Sequence, residues 1–278
     1  MADSFSIKLL DKNSGVTSFE SLYPVKREYR GRKIGHAGTL DKFASGLMIV
    51  LIGGATKLTP LFSSFDKEYI ASIRFGEETD TLDPEGEVIA SSECPSLETL
   101  ESVIPSFLGK QKQIPPVYSA IHVDGKRAYK EARKGNDIEM PERDIEISAI
   151  ELLSYDGRDA VIRAAVSKGT YIRSLARDIA LKAGSRAHLE ELRRLRIGPW
   201  TLDDSSLSTK ELLDKTGLFS TIIMNERERK LIENGTLRKS GVLSDSDRSL
   251  PYALLYFGKE LFGVGEKKDG RVSIIARI

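Results

Sequence analysis

Leu47-Met48-Ile49-Val50-Leu51-Ile52 is an unbroken run of six apolar residues. A run this short and continuous reads most simply as a buried strand, so the chain must supply a sheet that covers it. What precedes the run narrows the problem further. Gly35-His36-Ala37-Gly38-Thr39-Leu40-Asp41-Lys42-Phe43-Ala44-Ser45-Gly46 holds one carboxylate, Asp41, in a loop with three glycines in twelve positions. Glycines admit φ > 0 and close backbone approach, so the loop can fold over a ligand, and the strand fixes Asp41 to a rigid sheet. An aspartate that caps a turn fits the same residues.

Around this unit the pattern alternates between helix and strand. Ser18 to Arg30 reads as a first helix with Phe19, Leu22, Val25 and Tyr29 toward the core. Gly53-Gly54-Ala55-Thr56-Lys57 leads into a short helix and carries no dinucleotide or phosphate-loop fingerprint. Glu68 to Phe75 alternates as a strand, and Glu87 to Ala90 is another. Between them, Asp80-Thr81-Leu82-Asp83-Pro84-Glu85-Gly86 has the look of a calcium loop. Its register puts Thr81 and Ser92 where carboxylates are required, which excludes calcium. Ser96 to Phe107 reads as a helix, while Ile145 to Leu153 and Ala160 to Ser167 read as a hairpin turned at Asp156-Gly157. Ile172, Leu175, Ala176, Ile179, Ala180 and Ala183 form one helical face ended by Gly184, with Arg173 and Arg177 off that face. Leu189 to Trp200 fits helix or strand. Beyond the turn at Asp203-Asp204-Ser205-Ser206, a helix at Ser208 to Lys215 precedes a small β unit, with strands at Tyr252–Phe257, Glu260–Glu266 and Arg271–Ile278 and a turn at Asp269-Gly270.

Formal net charge is only +1, but the charges are segregated. Bases dominate from Lys26 to Lys42, Lys110 to Lys134 and Lys168 to Arg196, and acids collect between Asp66 and Glu101. If the basic stretches share a face they form a phosphate-binding surface; each alone is ordinary solvated surface. From Gln113 to Arg143, Pro115-Pro116, Gly125, Gly135 and Pro141 break regular structure, and cations alternate with Tyr118, His122 and Tyr129, a mixture suited to gripping RNA. The single cysteine, Cys94, makes no internal disulfide or zinc site. His36, His122 and His188, without paired acids in motif spacing, do not support a hydrolase triad. The N-terminal residues lack a signal sequence and no apolar run approaches a membrane span, so the expected location is the cytoplasm, away from membranes.

Several segments in order resemble the TruB-type tRNA pseudouridine synthase family. They are Lys8 to Lys12 with Gly15-Val16-Thr17-Ser18, the Gly35 to Lys57 stretch around Asp41, Lys67-Glu68-Tyr69, Gln113 to Ala120, and Lys168-Gly169-Thr170-Tyr171-Ile172-Arg173. Asn13 departs from the proline usual in that family. The resemblance implies an α/β (α+β) pseudouridine synthase fold, with a mixed, largely antiparallel sheet flanked by helices. Residues 1–225 would form the catalytic domain with a thumb insertion at about 110–142, and residues 226–278 a small PUA-like RNA-binding module.

The resemblance also implies the chemistry: isomerisation of the uridine at position 55 in the T arm of tRNA, by base flipping and without cofactor or metal. Asp41 would be the nucleophile, adding to C6 of the base or to C1′ of the ribose. Arg173 would hold its charge, and Tyr69 would stack on the target base and take the C5 proton. His36 would touch substrate or fill the vacated stack, and Tyr171 and Leu192 would wall the pocket. A monomer with no obligate protein partner is expected. Read from the residues alone, Arg173 could be a surface helix cation, Tyr69 strand packing and Leu192 a core leucine. A non-catalytic RNA-binding protein and a carboxylate-dependent glycosylase are the rival readings.

Overall fold

The computed structural model describes residues 5–119, 121–123, 126–127, 139–233, 249–268 and 271–277. Leu47 to Ile52 are fully buried in it. They serve two cores by alternation, Met48, Val50 and Ile52 joining one apolar cluster and Leu47, Ile49 and Leu51 the other, as the two-residue period of a strand requires.

In chain order the strands are β1 (Phe5–Lys12), β2 (Ile34–His36), β3 (Ser45–Gly53), β4 (Lys67–Phe75), the short pair β5 (Glu77–Thr79) and β6 (Val88–Ser91), and β7 (Gly109–Gln113). The two-residue β8 (His122–Val123) and β9 (Lys126–Arg127) follow, then β10 (Arg143–Tyr155), β11 (Asp159–Val166) and β12 (Ala187–Ile197). One eight-stranded sheet runs β1-β3-β12-β4-β11-β10-β7, with β2 added on β3. Among the described pairings in it only β12 on β3 is parallel, so the sheet is mixed and largely antiparallel, as the family resemblance implies.

The helices are α1 (Tyr23–Glu28), α2 (Thr59–Ser63), α3 (Leu97–Val103), α4 (Ile172–Lys182), α5 (Thr209–Asp214) and α6 (Glu226–Glu233). Helix α4 buries Ile172, Leu175, Ala176, Ile179 and Ala180 in the cluster that holds Met48 and Val50, which sets the residue after Ile172 against the sheet. The C-terminal sheet runs in order β13 (Phe219–Ile223), β14 (Tyr252–Phe257), β15 (Glu260–Lys268) and β16 (Arg271–Arg277). Its Leu254, Val264 and Ala276 share the cluster of Phe5, Ile7 and Trp200.

One local expectation changes. The first helix is shorter than Ser18 to Arg30: a 3-10 turn at Glu20–Leu22 precedes α1, because Pro24 has no N–H to donate and can sit only in a first turn. Phe19 consequently leaves the core face and is 60% exposed, while Leu22, Val25 and Tyr29 are buried. Leu189 to Trp200, open to either assignment, lies mostly in β12, paired to β4 from Ala187 to Ile197. Of the expected thumb, residues 120, 124–125 and 128–138 lie outside the described residues; among the rest β8 and β9 form a two-residue ladder. The Asp269-Gly270 turn is also outside them, though β15 and β16 pair antiparallel on either side.

Candidate active site

The loop carrying Asp41 is held at both ends by buried cations. Lys12, at the end of β1, is fully buried and donates from Nζ to the carbonyls of Asn13 (3.1 Å), Lys42 (3.2 Å) and Ala44 (2.5 Å). Arg194 on β12 is 1% exposed and donates from Nε to Leu47 O (2.7 Å) and from Nη2 to Gly38 O (3.1 Å). Ser18 adds a reciprocal pair, accepting from Leu40 N and donating to Leu40 O, each at 2.9 Å. At the loop exit the parallel contact of β3 with β12 brings backbones so close that a Cβ on Gly46, at φ +106°, would stand 2.3 Å from Arg194 O. Glycine is required there.

Asp41 projects from this frame with its side chain 39% accessible and meets Arg173 of α4, which is 5% exposed. Nη2 donates to Oδ1 at 3.2 Å, and Nε forms an ion pair with Oδ2 at 3.0 Å although it has no hydrogen-bond partner of its own. The rest of the guanidinium is also occupied. Nη1 donates to Thr81 O (2.7 Å) and to Asp83 Oδ2 (3.0 Å), and Nη2 to Tyr118 O (3.0 Å). Asp83 is itself buried and accepts from Thr81 Oγ1 (2.6 Å) and Glu85 N (3.0 Å). One arginine thus bridges two carboxylates. Leu82, just before Asp83, is the sole non-glycine residue at positive φ among those described, at 61°, a strained backbone held where the loop meets Arg173.

The titration of Asp41 follows from these neighbours. Crowding by protein raises its carboxyl, Arg173 opposes that, Asp83 adds to it, and Lys12 opposes it; the balance is upward. Burial, with the Arg194 charge, lowers the His36 imidazole. Burial raises the Tyr171 phenol and lowers the Lys67 ammonium to about 8.

The other sequence-predicted residues are distributed around the pair. Tyr69 on β4 and Leu192 on β12 are buried in one cluster with Leu40 and Ile172, the residues preceding Asp41 and Arg173. Tyr171 caps α4 and is tied to β7 by Gln113, whose Oε1 accepts from its N–H (2.8 Å) and whose Nε2 donates to its carbonyl (3.1 Å). Its ring packs by Ile121 and Met140. His36 stands on β2, and among the described residues no hydrogen bond or ion pair joins it to Asp41 or Arg173. Its Nδ1 is buried without a hydrogen-bond partner. Sequence reasoning passed over Lys12 and Arg194; their signal was only a base inside an apolar strand and a base among others in β12. Among the described residues no three His, Cys, Asp or Glu side chains are grouped to hold a metal, and no helix is long and apolar enough to cross a membrane.

Comparison with known proteins identifies the family of the chain. The profile of the TruB family pseudouridylate synthase N-terminal domain matches residues 26–172, and that of the tRNA pseudouridylate synthase B C-terminal domain matches residues 173–233. The chain is 42% identical over 239 residues to tRNA pseudouridine synthase B of Borreliella burgdorferi (strain ZS7), covering 84% of each. It is 46% identical over 201 residues to the enzyme of the same name from Bordetella avium (strain 197N), covering 71% of this chain and 82% of that one. The fold is similar to that in the crystal structure of a Cbf5-Nop10-Gar1 complex, with TM-score 0.65 and 23% identity over 99% of this chain and 84% of that one. The two profiles, together spanning residues 26–233, and the relatives at 42% and 46% identity place this chain in the TruB family: it is a pseudouridine synthase.

Proposed function

We propose that this enzyme isomerises the uridine at position 55 in the T arm of tRNA, with Asp41 as nucleophile and without a cofactor. The names of its relatives support tRNA as substrate. The reaction breaks N1–C1′, rotates the base, joins C5 to C1′ and moves the C5 proton off while N1 gains one. Substrate and product are isomers, so the step needs neither an oxidant nor an energy source.

The observation that carries the reading is the ion pair of buried Arg173 with Asp41, a hydrogen bond to Oδ1 at 3.2 Å and a charge contact to Oδ2 at 3.0 Å. A fixed carboxylate with its charge balanced is what covalent attack on C6 or C1′ needs. Because the reacting bonds are inaccessible inside folded RNA, the base leaves its stack to reach the carboxylate. Tyr69 and Leu192, buried beside the loop, then offer the flipped uracil a ring to stack on and an apolar wall, with Tyr171 closing the side next to Arg173. Tyr69 is the group we assign to the C5 proton, and His36, held toward its neutral form, to contact with the substrate strand. The C-terminal module over residues 226–278 is assigned an accessory RNA contact.

Incubation with an unmodified tRNA transcript, followed by carbodiimide mapping and mass analysis, tests this. Pseudouridine at position 55 with unchanged RNA mass is expected. Loss of uracil mass would identify a glycosylase, and binding with no change in the base an RNA-binding protein.

A further inference from the structure

Phe19 and Tyr23 are large aromatic side chains left 60% and 49% exposed on the outer side of the segment whose inner side buries Leu22, Val25 and Tyr29. Their rings meet edge to face, with centroids 6.0 Å apart. Lys26 stands over both, with Nζ 3.3 Å from the Phe19 centroid and 5.3 Å from that of Tyr23. Exposed apolar residues scattered singly are ordinary surface. Two rings organised around one ammonium are a different object, since the cluster presents flat apolar faces and a cation in a fixed relation. Arg27, Arg30, Arg32 and Lys33 follow close in sequence, all exposed, and none of these has an ion-pair partner among the described residues.

The patch also adjoins the catalytic loop. Ser18, next to Phe19, is bonded through Oγ to both backbone groups of Leu40, the neighbour of Asp41. Glu20 lies close enough to Lys42 to have its carboxyl lowered in part by that charge, after the hydrogen bonds from Thr17. The segment that carries the rings is thus bonded to the segment that carries Asp41.

From this juxtaposition we infer that Phe19, Tyr23 and Lys26 form a stacking platform for an unpaired nucleotide of the substrate RNA near the flipped uridine, the rings taking a base and Lys26 the adjoining phosphate. The inference rests on the RNA-modifying reading above. Aromatic faces stack on any base, and the neighbouring cations suit the backbone; an acidic protein partner would use the cations but leave the flat faces without a matching group.

The test compares the parent, Phe19→Ala/Tyr23→Ala, Phe19→Trp and Lys26→Gln on an unmodified tRNA transcript. The double alanine variant should bind about tenfold or more weakly, in line with the loss of one or two stacked bases. Lys26→Gln should lower the slope of log Kd against log salt by about one. Phe19→Trp should bind like the parent, and its emission should fall on addition of RNA, the native Trp200 being fully buried. Unchanged affinity of the double variant, or unquenched emission from Phe19→Trp at saturating RNA, with the parent converting the transcript, overturns the platform alone. A folded parent that neither binds nor converts it overturns the platform and the proposed function together.

Discussion

Replacing Arg173 by lysine separates charge from geometry at the centre of the site. The guanidinium serves Thr81 O at 2.7 Å, Asp83 Oδ2 at 3.0 Å, Tyr118 O at 3.0 Å and both oxygens of Asp41. An ammonium keeps the charge but offers three donors from one atom, and it cannot span groups arranged around the edge of the planar guanidinium. At least one carboxylate contact is lost and one carbonyl is left without its donor. At 5% exposure solvent replaces little of this, so with charged hydrogen bonds worth about 1.5–3 kcal/mol each the expected net loss of stability is ~2–4 kcal/mol. Asp41 loses its fixed position as well, and a misplacement on the order of 1 Å lowers turnover about 10²-fold. The assays are urea unfolding of parent and variant, and single-turnover conversion of an unmodified tRNA transcript. A variant that loses less than about 1 kcal/mol and turns over within a few-fold of the parent would refute the view that the fork, and not the charge, organises the site.

Asp41→Asn should bind the transcript as the parent does and form no detectable pseudouridine, since an amide of the same shape is a poor nucleophile. Its unfolding free energy should change by less than about 1 kcal/mol, because burial and Asp83 already oppose the charge that Arg173 favours; calorimetry and product mapping check both halves. Lys67, 8% exposed, has its ammonium lowered from 10.5 to about 8 by burial, helped by the Arg194 charge. The folded state therefore disfavours the proton. Below pH 8 the whole penalty is present, and between about 8 and 10.5 it is relieved, so the stability of the parent relative to Lys67→Met should rise over that window by ~3 kcal/mol. A flat difference curve from chemical denaturation at stepped pH would contradict this. Gly46→Ala sets a methyl 2.3 Å from Arg194 O at φ +106°, and should cost about 2 kcal/mol or more while displacing the Asp41 loop; unchanged melting would show that the loop exit yields freely.

The parts of the fold that were legible in the sequence are those where one period dominates. Leu47 to Ile52 had to be covered on both faces and is, and the apolar positions of α4 from Ile172 to Ala180 fall on one buried face. Strand β12 was ambiguous for a physical reason. Its Arg193, Arg194 and Arg196 are kept on a central strand by partners that lie far away in sequence, Asp11, the carbonyls of Gly38 and Leu47, and Glu68. Polar residues satisfied in that way erase the alternation by which a strand is recognised. Strand β13 escaped notice because Phe219–Ile223 is short and its parallel partner, Tyr252–Phe257, is distant in sequence. Phe19 was misplaced because helical spacing was extended back through the turn that Pro24 enforces.

The candidate site divides along the same line. Asp41 and Arg173 stood out through the family motifs, yet a surface position for Arg173 fitted the sequence equally well, and only the approach of the Thr81 to Asp83 loop makes it a buried bridge. Lys12 and Arg194 could not have been singled out, since what they hold is backbone. Main-chain carbonyls from Gly38 to Leu47 carry no side-chain signature, but turned toward two buried cations they supply the partial negative charge that Lys12 and Arg194 need. Because these cations take carbonyls as partners, neither draws a second carboxylate into the pocket. Asp41 keeps the one guanidinium able to grip both of its oxygens, and Asp83 anchors that guanidinium from its far side. Near-neutral overall charge and a strongly polarised site are therefore compatible: the field at the catalytic carboxylate is set by a few buried groups whose partners are backbone, not by the balance of Lys and Arg against Asp and Glu.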